Sequence, residues 1–257
     1  MDALFSVKDK AVVVTGGSRG IGLMIARGFV EAGARVYISA RKADACAAAA
    51  AELSAGGTCT PVPGDVGTEA GCRELAEEMA RREERLHVLV NNAGTNWGAP
   101  LAEYPDAAFD KVFAVNVKGA FHLTRLMLPL LERAASDDDP ARVINIGSID
   151  GLQAPMLETY AYSSSKAAVH HLTRVLAQQL AARRITVNAI APGPFESKMM
   201  HETLQRFGDQ IRASCPLGRI GRPEDVAGTA IYLASRAGAY LTGAVIPVDG
   251  GISTRHG

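Results

Sequence analysis

Val12-Val13-Val14-Thr15-Gly16-Gly17-Ser18-Arg19-Gly20-Ile21-Gly22 is the stretch that decides the fold. Three β-branched residues favour an extended strand, the glycines break it with a turn, and the periodic apolar sequence through Ala32 reads as a helix. Gly16, Gly20 and Gly22 thus fall between a strand and the start of a helix. There, missing side chains let the main chain approach a phosphate at the helix's positive end. Ser18, Arg19 and Ile21 belong to the same turn and join the glycines as candidate cofactor-binding residues.

The unit recurs on either side. Arg35–Ala40 reads as a strand before the Ala-rich helix Ala43–Leu53, and Thr58–Pro63 as a strand before the helix Thr68–Arg82. Further strands are expected at His87–Val90, Arg142–Ile146, Ile185–Ala191 and Ala244–Val248. Strands alternating with helices of this length predict a parallel sheet covered on both faces, with right-handed crossovers. Leu101–Leu131 has helical periodicity and stops before Ser136-Asp137-Asp138-Asp139-Pro140, an acidic stretch read as a surface connection. No shift in composition marks a second domain, so one α/β domain over residues 1–257 is expected.

Composition narrows the function classes. With 47% hydrophobic and 21% charged residues the chain has material for a large core. Lys plus Arg (27) balance Asp plus Glu (27), so no basic field draws the protein to nucleic acid or to an anionic membrane. A substrate must therefore be recognised in a pocket. Cys46, Cys59, Cys72 and Cys215 stand singly, without the paired spacing of a zinc or redox site, and no metal is expected. The first ten residues lack an apolar signal region, and no run approaches the 18 or more apolar residues of a membrane span. A cytoplasmic location is the expectation.

A dinucleotide fold that prefers NAD carries an acid about 20 residues past the glycine turn, where it holds the ribose 2′-hydroxyl. Here the second strand ends Ser39-Ala40-Arg41. The acid is missing, and Arg41 together with Arg19 offers two guanidinium groups for a 2′-phosphate. NADPH is accordingly the expected cofactor; the alternative is two solvated surface arginines. Asp65-Val66 follows the third strand, where Asp65 either contacts an adenine or caps the helix near Thr68. Asn91-Asn92-Ala93-Gly94 ends the fourth, and its small residues let cofactor and backbone meet at the sheet edge.

Tyr162 and Lys166 are four apart at the start of a segment that continues helically through Leu180, so they share a helix face. A tyrosine hydroxyl, with a reference pKa of about 10, is a poor proton exchanger near neutrality, and a neighbouring ammonium lowers that pKa. Lys166 is therefore expected to tune Tyr162. Tyr160 lies on roughly the opposite face and reads as structural. Ser148, just past the strand Arg142–Ile146, either bonds a substrate carbonyl oxygen or is a turn residue. Asn116, inside a helical stretch, points to solvent or bonds backbone or water near Lys166.

Thr15–Gly22, Asn91–Gly94, Asn116, Ser148, Tyr162 with Lys166, and Pro192-Gly193 together resemble the short-chain dehydrogenase/reductase family, over nearly the whole chain. The resemblance implies a single-domain Rossmann-type, doubly wound sheet of seven parallel strands in the order 3-2-1-4-5-6-7, with helices on both faces. It implies a tetrad of Asn116, Ser148, Tyr162 and Lys166. In that scheme Ser148 orients the carbonyl, Tyr162 donates the proton, Lys166 holds the nicotinamide ribose and lowers the tyrosine pKa, and Asn116 places a relay water. Pro192-Gly193 matches the family's turn beside the nicotinamide, and Ser197 replaces the threonine usually found a few residues later. Among the branches, the chain is similar to bacterial 3-oxoacyl-[acyl-carrier-protein] reductases of fatty acid and rhamnolipid precursor synthesis. That likeness implies a 3-oxoacyl thioester substrate, carried on acyl carrier protein or coenzyme A, and a homotetramer.

Residues 195–212, with Met199, Met200, Leu204 and Phe207, would cover the substrate, or equally serve as packing or oligomer contacts. Trp97 is a candidate pocket residue, and His170-His171 reads as surface or interface. The same scaffold also admits reduction of another ketone, sugar or steroid, and a non-catalytic NADP-sensing role.

Overall fold

In the computed structural model, which describes residues 2–155, 157–196 and 200–254, strands and helices alternate along the chain. In order they are α1 (Asp2–Phe5), β1 (Ala11–Thr15), α2 (Gly20–Glu31), β2 (Arg35–Ser39), α3 (Ala43–Leu53), β3 (Thr58–Pro61) and α4 (Glu69–Arg82). Then come β4 (Val88–Asn91), α5 (Asp106–Phe113), α6 (Gly119–Ala134), β5 (Ala141–Ile146), α7 (Tyr160–Leu180), β6 (Ile185–Pro192), α8 (His201–Ser214), α9 (Pro223–Ala234) and β7 (Val245–Val248). The strands form one parallel sheet in the order β3-β2-β1-β4-β5-β6-β7.

Alternation along each strand divides the core in two. Val12 and Val14 of β1 face α2, α3 and α9, packing with Ile25, Phe29 and Val226. Ala11 and Val13 face α4, α6 and α7, packing with Leu75, Leu123 and Ala177. β3 stops at Pro61 instead of Pro63, because the second proline brings no N–H to continue the ladder. The long helical stretch expected over Leu101–Leu131 is divided: a 3-10 turn covers Leu101–Glu103, Pro105 precedes α5, and a π-helical turn, Ala114–Lys118, joins α5 to α6.

The acidic stretch 136–140 departs from its reading as a plain surface connection. Asp139 turns inward, accepting from Lys10 Nζ at 2.7 Å and from Arg142 Nη2 at 3.0 Å. Arg142 is 1% exposed. Both cations also donate to the carbonyl end of α9: Lys10 to Ala234 at 3.0 Å, Arg142 to Leu233 at 3.0 Å and Ser235 at 2.9 Å. A helix C-terminus carries partial negative charge, which suits these two cationic donors, an ammonium and a guanidinium. The four cysteines are free and buried, and burial pushes the Cys59 thiol up to about 12. Among the described residues, no helix is long and apolar enough to cross a membrane.

Candidate active site

Strand order reverses between β1 and β4, so a crevice opens at their carboxyl ends, the place where ligands bind in open parallel sheets. The glycine turn borders it. Gly16 and Gly20 have φ of +64° and +55°, a left-handed backbone that side chains disfavour. A Cβ on Gly22 would lie 2.4 Å from the Gly16 carbonyl oxygen, so only glycine lets the turn close on its helix. Thr15 and Asn92 staple this turn to β4. Asn92 Nδ2 donates to the Thr15 and Gly16 carbonyls at 2.8 and 3.2 Å, while Thr15 Oγ1 accepts from the main-chain N–H groups of Asn92 and Ala93 at 3.0 Å each. The amide of Asn92 thus builds the cradle from behind.

The front of the cradle is electropositive. Arg19 stands at the N-cap of α2 without a side-chain cap, and no acid occupies the first turn. The first N–H groups of that helix, next to Ser18 and Ile21, therefore have no side-chain acceptor. Arg19 and Arg41 are exposed, and among the described residues neither is paired with a carboxylate. Such donors fit a phosphate-rich dinucleotide. Asp65 is exposed and accepts from the Gly67 N–H at 3.0 Å; the cap of α4 belongs to Thr68, which accepts from the Gly71 N–H at 3.0 Å. Val66 turns its side chain into the core.

The four tetrad candidates converge on the neighbouring carboxyl ends of β4 and β5. Asn116 sits in the π-helical turn, a widened turn that recurs at functional sites. It does not point to solvent: it is 4% exposed, accepts from the Thr95 N–H at 2.9 Å and donates to the Thr95 carbonyl at 3.1 Å and to Ser165 Oγ at 2.9 Å. Ser148 begins a single 3-10 turn, Ile149–Gly151, and its hydroxyl accepts from the Asp150 N–H at 3.1 Å. The half-buried Tyr162 stands beside that hydroxyl, which favours its phenolate form. Lys166 is buried and donates to the Ile146 carbonyl at 2.7 Å. Gly94 brings the β4 loop to this group, for a Cβ there would lie 3.4 Å from Asn116 Oδ1 and 3.7 Å from Lys166 Nζ. Tyr160 is turned elsewhere: it packs edge-on against Tyr104 and donates to Glu158 at 3.3 Å.

The electrostatics correct one expectation. Lys166 was expected to lower the Tyr162 pKa, yet burial outweighs every favourable contact and pushes that phenol up to about 12. Burial also holds Lys166 down to about 8, and its Nζ lies 5.5 Å from the centre of the tyrosine ring. Desolvation disfavours both charged forms. Tyr162 is thus a protonated phenol, suited to giving a proton away. Asp150, itself raised by burial, opposes ionisation of Tyr162 and favours the charge on Lys166.

Below the tetrad runs a buried polar chain that sequence reasoning missed. Asn91 Nδ2 donates to Thr124 Oγ1 at 3.1 Å and to Asn145 Oδ1 at 2.9 Å, and Asn145 Nδ2 donates to Thr173 Oγ1 at 2.9 Å. The two threonines donate in turn to the Ala120 and Val169 carbonyls. α6, β4, β5 and α7 are thereby tied together. The available signal was asparagine at inward-facing positions of two strands that are otherwise apolar.

Other readings shift as well. His170 is 2% exposed instead of lying at the surface. Phe195 is 1% exposed and packs on Gly221, so it anchors the segment that follows β6 instead of covering a substrate. Gly193 follows Pro192 at the end of β6 and donates its N–H to the Val248 carbonyl at 3.0 Å. Ser197 and Met199 lie outside the described residues, as does the side chain of Leu204. Phe207 on α8 and Trp97 are exposed.

Residues 16–253 match the family model described as enoyl-(acyl carrier protein) reductase, and the chain belongs to the short-chain dehydrogenase/reductase family. It is similar to the rhamnolipids biosynthesis 3-oxoacyl-[acyl-carrier-protein] reductase of Pseudomonas aeruginosa, with 51% identity over 98% of this chain and 99% of the relative. The solved Pseudomonas aeruginosa RhlG/NADP active-site complex superposes with a TM-score of 0.95 at 51% identity, covering 98% of this chain and 100% of that one. The 3-oxoacyl-[acyl-carrier-protein] reductase FabG of Thermotoga maritima is 33% identical over 96% of this chain and 98% of its own.

Proposed function

We propose that the protein is an NADPH-dependent reductase that converts a 3-oxoacyl thioester to its 3-hydroxyacyl product, for fatty acid or rhamnolipid precursor synthesis. The observation that carries this reading is the protonated Tyr162 phenol beside the Ser148 hydroxyl, with Lys166 one turn away, next to an uncapped and arginine-flanked helix N-terminus. Similarity to the Pseudomonas aeruginosa and Thermotoga maritima reductases supports the acyl substrate.

Gly16, Ser18, Gly20, Ile21 and Gly22 would hold the cofactor diphosphate, Arg19 and Arg41 its 2′-phosphate, and Asp65 with Val66 would border the adenine. Asn92, Ala93, Gly94, Pro192, Gly193 and Ser197 would line the nicotinamide end. When bound, NADPH supplies the hydride. Ser148 holds the substrate carbonyl oxygen, and Tyr162 gives that oxygen its phenolic proton as negative charge develops there. Lys166 would hold the nicotinamide ribose, and its charge would offset the phenolate left on Tyr162. Asn116 holds the Thr95 loop against α7 and places a relay water beside Lys166. Residues 195–212 cover the acyl chain, which arrives on acyl carrier protein, and the enzyme works in the cytoplasm as a homotetramer.

NADPH consumption by the purified protein tests the reading, using 3-oxoacyl thioesters on acyl carrier protein and coenzyme A, enoyl thioesters, sugars and simple ketones, with NADH alongside. Turnover of 3-oxoacyl thioesters is expected. Activity confined to enoyl thioesters or sugars would move the substrate class, and no turnover at all would point to an NADP-sensing protein.

Two binding experiments follow. Arg41→Asp is expected to weaken NADPH roughly tenfold to a hundredfold and leave NADH little changed, since a charge-assisted contact to phosphate is lost. An unaltered preference would remove Arg41 from the cofactor site. The second concerns pH. Lys166 carries its charge below about 8 in the free protein, and an anionic cofactor binds that form better. NADPH affinity should therefore be fully present below pH 8 and decline as pH rises through it. Fluorescence titration of NADPH reads this directly, and Asp150→Asn should move the decline to lower pH.

A further inference from the structure

His170 follows Lys166 by one turn of α7, is 2% exposed, and takes no part in the chemistry described above. Neither ring nitrogen has a hydrogen-bond partner of good geometry among the described residues. A buried polar group without a well-formed hydrogen bond is destabilising, and a leucine or phenylalanine here would avoid that cost. The imidazole does offer a flat, narrow edge. On that edge rests the short loop that carries Ser148.

The contact is closest at the two glycines flanking the loop. A Cβ on Gly147 would lie 2.0 Å from His170 Nε2 and 2.6 Å from Cδ2, and a Cβ on Gly151 would lie 2.9 Å from Cε1. The ring thus compels the glycine at 147, while at Gly151 the main chain of α7 comes closer still, 2.7 Å from such a Cβ at Lys166 and Ala167, with the ring edge next. The loop is held at its other margins by main-chain bonds: Gly147 N–H to the Ile190 carbonyl at 2.7 Å and Gly151 N–H to the Ser148 carbonyl at 3.0 Å. Lys166 grips the residue just before it, through the Ile146 carbonyl at 2.7 Å. One face of α7 thus meets the Ser148 loop at two consecutive turns, by charge at Lys166 and by shape at His170.

We propose that His170 is a positioning residue: its ring sets the height of the Gly147–Gly151 loop and so aims the Ser148 hydroxyl at the substrate carbonyl. The proposal rests on the reading of Ser148 as the group that orients that carbonyl. Burial holds the imidazole down to about 4 against the opposing pull of the Gly151 main chain, and Lys166 and Arg174 add to the effect of burial, so the ring is neutral throughout the physiological range. A second positive charge beside Lys166 is avoided.

A double-mutant cycle tests the contact. Gly147→Ala drives a methyl into the ring and should lower kcat about a hundredfold, the scale of a 1 Å misplacement at a reacting group. His170→Ala should lower it roughly tenfold, and in the double variant the removed ring makes room, returning kcat to within about tenfold of wild type. Fluorescence titration should find the NADPH dissociation constant within about twofold of wild type in all three, and the keto-substrate KM should move less than kcat. Should Gly147→Ala fail to fold, His170→Leu serves instead: it keeps apolar packing but replaces the flat edge by a branch. A roughly tenfold loss of kcat is then expected with unfolding temperature nearly unchanged. Absence of rescue in the double variant, or full kcat in His170→Leu, overturns the proposal. A wild-type protein that reduces no ketone overturns the functional reading itself, and the two failures appear in different samples.

Discussion

Tyr162→Phe is expected to bind NADPH as tightly as the wild type and to lose about a thousandfold in kcat for ketone reduction. Only the hydroxyl is removed, and the surrounding fixtures do not depend on it. Lys166 remains bonded to the Ile146 carbonyl, and Ser148 Oγ still accepts from the Asp150 N–H. Tyr160 cannot substitute, because its hydroxyl is turned to Glu158 and its ring is packed on Tyr104. Fluorescence titration with NADPH and single-turnover kinetics separate binding from chemistry. Near-normal kcat would dismiss Tyr162 as proton donor. Joint loss of binding and turnover would mark the hydroxyl as structural.

Asp139→Ala should destabilise the fold by about 3–5 kcal/mol, because it strands two buried cations. Lys10 and Arg142 both lose their carboxylate, and burial already opposes the charge of each. The α9 carbonyls that remain offer partial charge only. Urea unfolding would measure the loss, and the unfolding temperature should fall by roughly 10 °C. The trio gathers at the amino end of β5, the opposite end of that strand from Ser148, so kcat at low temperature should hardly change. A loss below about 1 kcal/mol would place the trio among ordinary solvated pairs.

The sheet was legible because β-branched runs and glycine turns are local signals. Val12–Val14 lies within β1, and strand ends elsewhere moved by only a residue or two. Tyr162 and Lys166 were legible for the same reason: four residues on a helix is a distance as well as a spacing. Asp139 was not, since its partner Lys10 is 129 residues away and no periodicity connects them. The burial of His170 and Phe195 likewise depends on Gly147, Gly151 and Gly221, which reach them only through the fold. The direction of the Tyr162 shift was misread because a neighbouring charge can be inferred from spacing, whereas desolvation requires the whole surrounding structure.

The chain from Thr124 through Asn91 and Asn145 to Thr173 has a consequence for how such a protein can change over time. It pins α6 and α7 about two turns from Asn116 and Lys166, by bonds whose direction resists sliding in a way that apolar contacts do not. Alignment of the reacting groups is consequently stored inside the molecule, away from anything a ketone touches. With α8 over the substrate as proposed, mutations at its exposed Phe207 would reshape what is admitted, from compact polyols to long aliphatic tails, without retuning the proton's route. Catalytic competence and substrate taste become separately heritable.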